Sequence, residues 1–243
     1  MGTEGKALRI RLISDIHGNL PALEKVLNHP AGLANDLTVC LGDITGYGPW
    51  PSECIQLVQN VCDASVAGNH DMGCVGLLPL KRFNIWGELA IRWSKDKLGD
   101  AEKSWLKELP LAVETHGIHG CHAYPPAPDS WEYILDGTSA LAVFKELPGQ
   151  TWFFGHTHSP CAWSTTGVRA LERVTDLNTH PLVNCGSVGQ PRDGNPRAAF
   201  TMVDTVENTA ETIRVDYPVE VTVMEIRRAG LPAFLAERLL TGH

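Results

Sequence analysis

The sequence predicts an α/β protein. Apolar, β-branched runs alternate with helical patterns through the first half of the chain. The runs end in short loops of the kind that carry ligands in α/β folds, and the second half is richer in strands.

Residues 7–13 read as the first strand, although Arg9 and Arg11 interrupt the apolar run. A helix is expected next. Asn19 suits an N-cap, Pro21 falls in the first turn, and Leu20, Leu23, Val26 and Leu27 recur at helical spacing. Residues 37–41 form a second strand, 51–60 a helix and 65–67 a short third strand. Phe83, Trp86, Leu89, Ala90 and Trp93 follow helical spacing, which makes Trp86 and Trp93 core residues. A further helix over 100–109 carries Trp105, also read as core. Strands resume at 111–114 and 118–122, and 123–133 is a loop rich in proline and aromatics. Residues 138–147 look helical and 151–154 extended. From there the pattern is mostly β, with strands at 182–184, 198–203 and 213–216. The stretch from Pro218 alternates first and turns helical near 232–240.

The 243 residues contain no linker-like tract, so one domain spanning 1–243 is expected. The net charge of −8 argues against sequence-independent nucleic-acid binding, which needs Lys and Arg to neutralise phosphates. It leaves a small nucleotide substrate open, because a bound metal can reverse the local sign. Seven cysteines, widely spaced and without a Cys-x-x-Cys pair, read as free thiols in a reducing compartment. No apolar stretch of signal-peptide length precedes Asp15, and no run reaches membrane-span length. The expectation is a cytoplasmic protein with neither a membrane nor a stable nucleic-acid partner.

Five segments share one property: each follows an apolar strand-type run and carries Asp, Asn or His. They are Asp15-x-His17, Gly42-Asp43, Gly68-Asn69-His70-Asp71, His122 and Gly155-His156-x-His158. On neighbouring strands these side chains would converge at one edge. Imidazole and carboxylate together suit divalent transition metals, and the set is too large for a single tetrahedral zinc. The glycines before Asp43, Asn69 and His156 permit sharp turns and close backbone approach. His122 is preferred to its neighbours because it ends a strand, whereas His116 precedes a glycine in a turn and His119 lies within the strand. His29, His180 and His243 read as surface histidines. Trp131 and Tyr133 read as core anchors, with stacking on a nucleobase or aromatic leaving group as the alternative. Arg192 sits in a Gly-rich turn, as an exposed structural arginine or a phosphate contact.

In this order the five blocks resemble the calcineurin-like metallophosphoesterase superfamily, in its small bacterial and archaeal phosphodiesterase branch. The resemblance covers roughly residues 8–216, and the stretch from Asn184 to Gly194 is similar to that branch's post-site motif. It implies an α/β/β/α arrangement, a two-sheet β-sandwich flanked by helices. It also implies two divalent transition-metal ions, manganese first, with iron, zinc or nickel tolerated by the same ligands. Asp15, His17, Asp43 and His158 would hold one ion, and Asp43, Asn69, His122 and His156 the other, with Asp43 bridging. His70 would act as acid and transition-state stabiliser beside a metal-activated hydroxide that attacks a phosphodiester or nucleotide-type substrate. Protein phosphatases of the superfamily continue Gly-Asp to Asp-Arg-Gly, where this chain has Gly46, Tyr47 and Gly48. That departure argues against the phosphoprotein alternative and leaves His70 without that carboxylate. The other alternative, a non-catalytic protein-interaction scaffold, is disfavoured because the ligand set is complete.

Overall fold

Side chains alternate across the first strand, and the alternation decides what each face packs against. Ile10 and Leu12 join an apolar cluster with Val39, Leu41, Phe153 and Val183. Ile13 points the other way, into a cluster with Leu23, Val26, Ile55 and Val58. The computed structural model describes residues 8–170, 173–174, 176–179 and 181–243. The expectations at Ala7 and His180 lie outside the described residues.

In order, the first half has β1 (Arg9–Ile13), α1 (Leu20–Leu27), α2 (Pro30–Leu33), β2 (Leu37–Cys40), α3 (Pro51–Val61) and β3 (Ala64–Ser65). Then come α4 (Asn69–Cys74), α5 (Ile85–Lys97), α6 (Asp100–Glu108), β4 (Ala112–Thr115), β5 (Ile118–Cys121) and α7 (Gly137–Glu146). The remainder has β6 (Trp152–Phe154), β7 (Cys161–Ser164), β8 (Gly167–Ala170), β9 (Arg173–Val174), β10 (Leu182–Asn184), β11 (Ala198–Asp204) and β12 (Thr209–Val215). Two helices follow, α8 (Val219–Arg228) and α9 (Ala233–Thr241).

The strands form two mixed sheets, β3-β2-β1-β11-β12-β9 and β4-β5-β6-β10-β7-β8. Within the first, β1 is parallel to β2 and β2 to β3. Within the second, β6 is parallel to both β5 and β10. The sheets bury their inner faces on each other. Helices α1 and α3 cover the outer face of the first, and α7 that of the second. This is the expected two-sheet sandwich flanked by helices. Its consequence is that the carboxyl ends of β1, β2 and β3, and those of β5 and β6, lead into the loops that hold the five blocks.

Arg11, which interrupts the first apolar run, is 4% exposed. Its guanidinium donates to the Leu27 carbonyl at 2.9 Å and to Thr38 Oγ1 at 3.1 Å. A cation at the carboxyl end of α1 is well placed against the helix dipole. Asn19 caps α1 as expected, accepting from Ala22 N at 3.3 Å.

The structure corrects three readings. Residues 219–228 form a helix throughout, and its buried face is Thr222, Val223 and Ile226. The alternation of Val219, Val221 and Val223 imitates a strand, but the 3–4 spacing of the buried face governs the packing. Trp86 is 38% exposed and stacks on Phe234 instead of entering the core, while Trp93 and Trp105 are partly buried as their spacing suggested. His29 is half-buried and caps α2 through its side chain.

Candidate metal centre

Every predicted site residue reaches one end of the sandwich, where the carboxyl ends of strands from both sheets meet. Asp15 and His17 lie between β1 and α1, Asp43 follows β2, and Asn69 and His70 open α4. His122 follows β5 directly, and His156 and His158 lie between β6 and β7. All are buried, from 0% exposed for Asp15 and His122 to 8% for Asn69. Asp15, His17, Asp43, His156 and His158 all have positive φ, between 51° and 66°. Left-handed backbone in five non-glycine residues is costly, and such strain concentrates at functional sites.

The donors fall into two clusters within 4.8 Å, Asp15-His17-His158 and Asp43-His122-His156, with His17-Asp43-His70 as a third grouping between them. Asp43 Oδ2 lies 3.6 Å from His17 Nε2 and 3.3 Å from His122 Nε2, which puts this carboxylate between the two clusters. Asp15 Oδ1 lies 3.2 Å from His158 Nε2. Two backbones close in on these carboxylates: His70 N donates to Asp43 Oδ1 at 2.8 Å, and His156 N to Asp15 Oδ2 at 3.0 Å. A Cβ at Gly68 would collide with Asp43, and one at Gly155 with Ser14 and Asp15. Only glycine allows these approaches.

Backbone carbonyls orient the imidazoles. His17 Nδ1 donates to Thr45 O at 2.9 Å, His122 Nδ1 to Leu41 O at 2.8 Å and His158 Nδ1 to Gln190 O at 2.6 Å. His156 is turned over: its Nε2 donates to Trp131 O at 3.1 Å, leaving Nδ1 for the site. Such contacts fix tautomer and direction in metal-binding histidines. The stretch resembling a post-site motif supplies more scaffolding. Ser187 Oγ donates to Asp15 O at 2.8 Å, Gly189 N to the same carbonyl at 2.9 Å, and Asn184 Nδ2 to Thr157 Oγ1 at 3.0 Å.

The donor set fits divalent cations. His17 and His158 have both committed their protons at Nδ1, yet their Nε2 atoms face each other at 3.2 Å. Two lone pairs so placed call for a cation between them. Asn69 Oδ1 is buried without a hydrogen-bond partner, an orphaned acceptor beside the second cluster.

Burial without a cation sets the titration. It pushes the Asp15 carboxyl up. For Asp43 burial acts the same way, but His122, His70 and His17 outweigh it and hold the carboxyl below its ordinary range. His122 is drawn down by burial and up by Asp43 and Asp15, ending at about 9. Burial pulls His70 down to about 4 and His156 to about 3, and lowers His17 and His158 well below the usual histidine range. Those four rings are therefore neutral at pH 7, the form that ligates metal.

A pH prediction follows for the metal-free protein. Between about pH 4 and 6.5 the unfolded chain protonates these four histidines, while the folded chain does not. Stability therefore rises with pH across that window and is lost as pH falls. Asp15 and Asp71, both raised, act oppositely but are two groups against four. His122, raised to about 9, contributes stability that is full below about 6.5 and fades above it, so it adds no slope within that window. In chelator, the unfolding midpoint should be lower at pH 5 than at pH 7 by roughly 5 °C or more. An equal or higher midpoint at pH 5 would contradict this.

Asp71 is not the partner that His70 lacks. Its carboxylate accepts from Ile44 N (3.3 Å), Thr45 N (3.0 Å), Thr45 Oγ1 (2.9 Å) and Gly68 N (3.1 Å). It ties the Asp43 loop to the turn before Asn69. Asp71→Ala would leave these buried donors unpaired and should destabilise the protein by about 3 kcal/mol, read by denaturant unfolding. A loss under about 0.5 kcal/mol would show that the carboxylate does not organise the loop.

Sequence reasoning passed over Tyr47 as a contributor to the site. Its ring lies 4.6 Å from that of His17 and 4.5 Å from that of His70. The Arg192 guanidinium sits over Tyr47 at 5.6 Å, and its buried Nε has no partner. Arg192 is thus half-buried beside the site and not a free surface arginine. The signal available was Tyr47 itself, flanked by Gly46 and Gly48 just after Asp43. Tyr133, expected in the core, is 49% exposed and stacks on His156 at 3.9 Å. His116 is exposed in its turn, and His119 stacks on Trp152 away from the site, which leaves His122 as the histidine of this group at the centre.

Residues 8–160 match the calcineurin-like phosphoesterase profile. An uncharacterised protein of Methanocaldococcus jannaschii is 38% identical over 243 residues, covering 96% of this chain and 98% of that protein. A metallophosphoesterase from Sphaerobacter thermophilus superposes with a TM-score of 0.87 at 34% identity, covering 98% of this chain and 100% of that one. A hypothetical protein from Pyrococcus horikoshii superposes at 0.81 over 97% of this chain and 98% of that one; at 20% identity it speaks for the fold alone. Among the described residues no helix is long and apolar enough to cross a membrane.

Proposed function

The chain belongs to the calcineurin-like phosphoesterase family, and from that premise we propose that it hydrolyses a phosphodiester or nucleotide-type substrate at a two-metal centre. The proposed ligands are Asp15, His17, Asp43 and His158 for one ion, and Asp43, Asn69, His122 and His156 for the other. The observation that carries the reading is the pair of unprotonated Nε2 atoms of His17 and His158 at 3.2 Å, with Asp15 and Asp43 against them. Divalent ions bound here, manganese in the first instance, would neutralise phosphoryl charge and supply hydroxide near neutral pH.

The chain's own groups then position the substrate. His70 is the proposed acid and transition-state stabiliser. Without phosphate its ring is neutral, drawn down to about 4 by burial, and among the described residues its Nδ1 has no partner. An anionic phosphate brought against the ring favours the imidazolium, so the substrate itself would supply the bias that no neighbouring carboxylate provides. Tyr47 holds one side of His70, and Phe83 meets it edge-on at 5.1 Å on another. Arg192, with its unpaired Nε, is the proposed contact for a non-bridging phosphate oxygen. The site as proposed takes a small phosphoester. At the Asp-Arg-Gly positions the chain has Gly46, Tyr47 and Gly48, which supply no carboxylate, and this favours a small phosphoester over phosphoproteins.

The test is a comparison of an aryl phosphodiester, the matching monoester and a phosphopeptide, assayed with Mn²⁺ before and after chelation. Diester hydrolysis should dominate, vanish on chelation and return with metal. Preference for the phosphopeptide, or hydrolysis indifferent to chelation, would overturn the proposal.

A further inference from the structure

A cleft of about 110 Å³ opens beside the proposed ligands, lined by Asn69, His70, His156, Phe83, Trp131 and Tyr133. It therefore adjoins both His70, the proposed proton donor, and the ligands of the second proposed ion. Its aromatic rings are not ordinary core packing. Tyr133 is 49% exposed, and its ring stacks on His156 at 3.9 Å with only 19° between the planes. One face of Tyr133 is covered by that imidazole, and the residue also lines the cleft.

The aromatic wall is held in place independently of any ligand. The carbonyl of Trp131 accepts from His156 Nε2 at 3.1 Å, and Trp131 itself has a left-handed backbone, with φ of 60°. Arg82 Nη2 donates to Ser130 O at 2.6 Å, joining the segment before α5 to the loop that carries Trp131 and Tyr133. Asn84, also on the cleft, spends its side-chain oxygen on Gly87 N at 2.9 Å to cap α5. Its amide nitrogen has no hydrogen bond among the described residues and is a donor for the polar edge of a ring. A pre-set aromatic face loses little conformational entropy on binding, and base–aromatic stacking tolerates any planar ring.

We infer that this cleft is the subsite for a planar heteroaromatic ring, the nucleobase of a nucleotide-type substrate, with Tyr133 as its stacking platform. The inference rests on the phosphoesterase reading for the place of the phosphate, but ring binding itself needs no metal. Phe83 and Trp131 bound the ring at its edges, and the phosphate lies toward His70 and Arg192. The loop of residues 123–133 thereby sets the substrate class.

The experiment is isothermal titration of chelated protein with adenosine and, separately, with ribose. Adenosine should bind saturably and ribose should not. Tyr133→Ala should weaken adenosine binding by at least about fivefold, and Tyr133→Phe, which keeps the ring, by less than about twofold. Indistinguishable behaviour of adenosine and ribose, or unchanged affinity in Tyr133→Ala, overturns the subsite. Adenosine binding without any phosphoester hydrolysis would keep the subsite and remove the enzyme. Diester hydrolysis without discrimination between adenosine and ribose would remove the subsite alone.

Discussion

Asp43→Ala is expected to lower metal-dependent hydrolysis on the order of 10³-fold or more, the largest single loss at this site. The carboxylate stands between the two donor clusters, 3.6 Å from His17 Nε2 and 3.3 Å from His122 Nε2. Asp15 Oδ1 stands farther from both, 3.8 Å from His17 Nε2 and 3.9 Å from His122 Nε2, and leans toward His158 at 3.2 Å. Removing Asp43 also deprives His70 N of its acceptor, so the first turn of α4 would lose its tie to the β2 loop. The loss should appear in kcat under saturating Mn²⁺ together with weakened metal binding, because one carboxylate serves both proposed ions. Activity within about tenfold of wild type would mean that Asp43 does not bridge.

His70→Ala should separate chemistry from metal binding. Turnover should fall about 10²–10⁴-fold, the range of general acid–base catalysis, while metal content stays at the wild-type level. The geometry makes this a sharp test, since His70 comes within the same 4.8 Å grouping as His17 and Asp43. Loss of a metal from the variant would make His70 a ligand. A KM rise with unchanged kcat would make it a binding group only.

The ligand edge was legible because each of its residues terminates a strand, and strand ends are visible in the apolar pattern. Asp15 and His17 alone describe a turn. They become site candidates because Asp43, Asn69, His122, His156 and His158 repeat the same placement, on strands of two sheets whose carboxyl ends meet at one end of the sandwich. What the sequence could not show depends on contacts between distant segments. Asp71 reads as a neighbour of His70, yet its carboxylate serves the backbone of residues 44 and 45, some 27 positions away. Arg11 reads only as an interruption of an apolar run, and the approach of α1 and Thr38 explains its burial. Helix α8 was obscured because Val219, Val221 and Val223 satisfy a period of two, while its packing uses Thr222, Val223 and Ile226. Tyr133 was misplaced because an aromatic residue in a Pro-rich loop gives no sign of whether its ring will meet core or imidazole.

The central claim is that these side chains bind two metal ions sharing Asp43. Elemental analysis of Mn²⁺-loaded, desalted protein tests it most directly, with wild type and Asp43→Ala measured side by side. Two ions per chain in wild type, and a clear deficit in Asp43→Ala, are the predicted result. Metal-free wild-type protein, or a content that Asp43→Ala leaves unchanged, would contradict it.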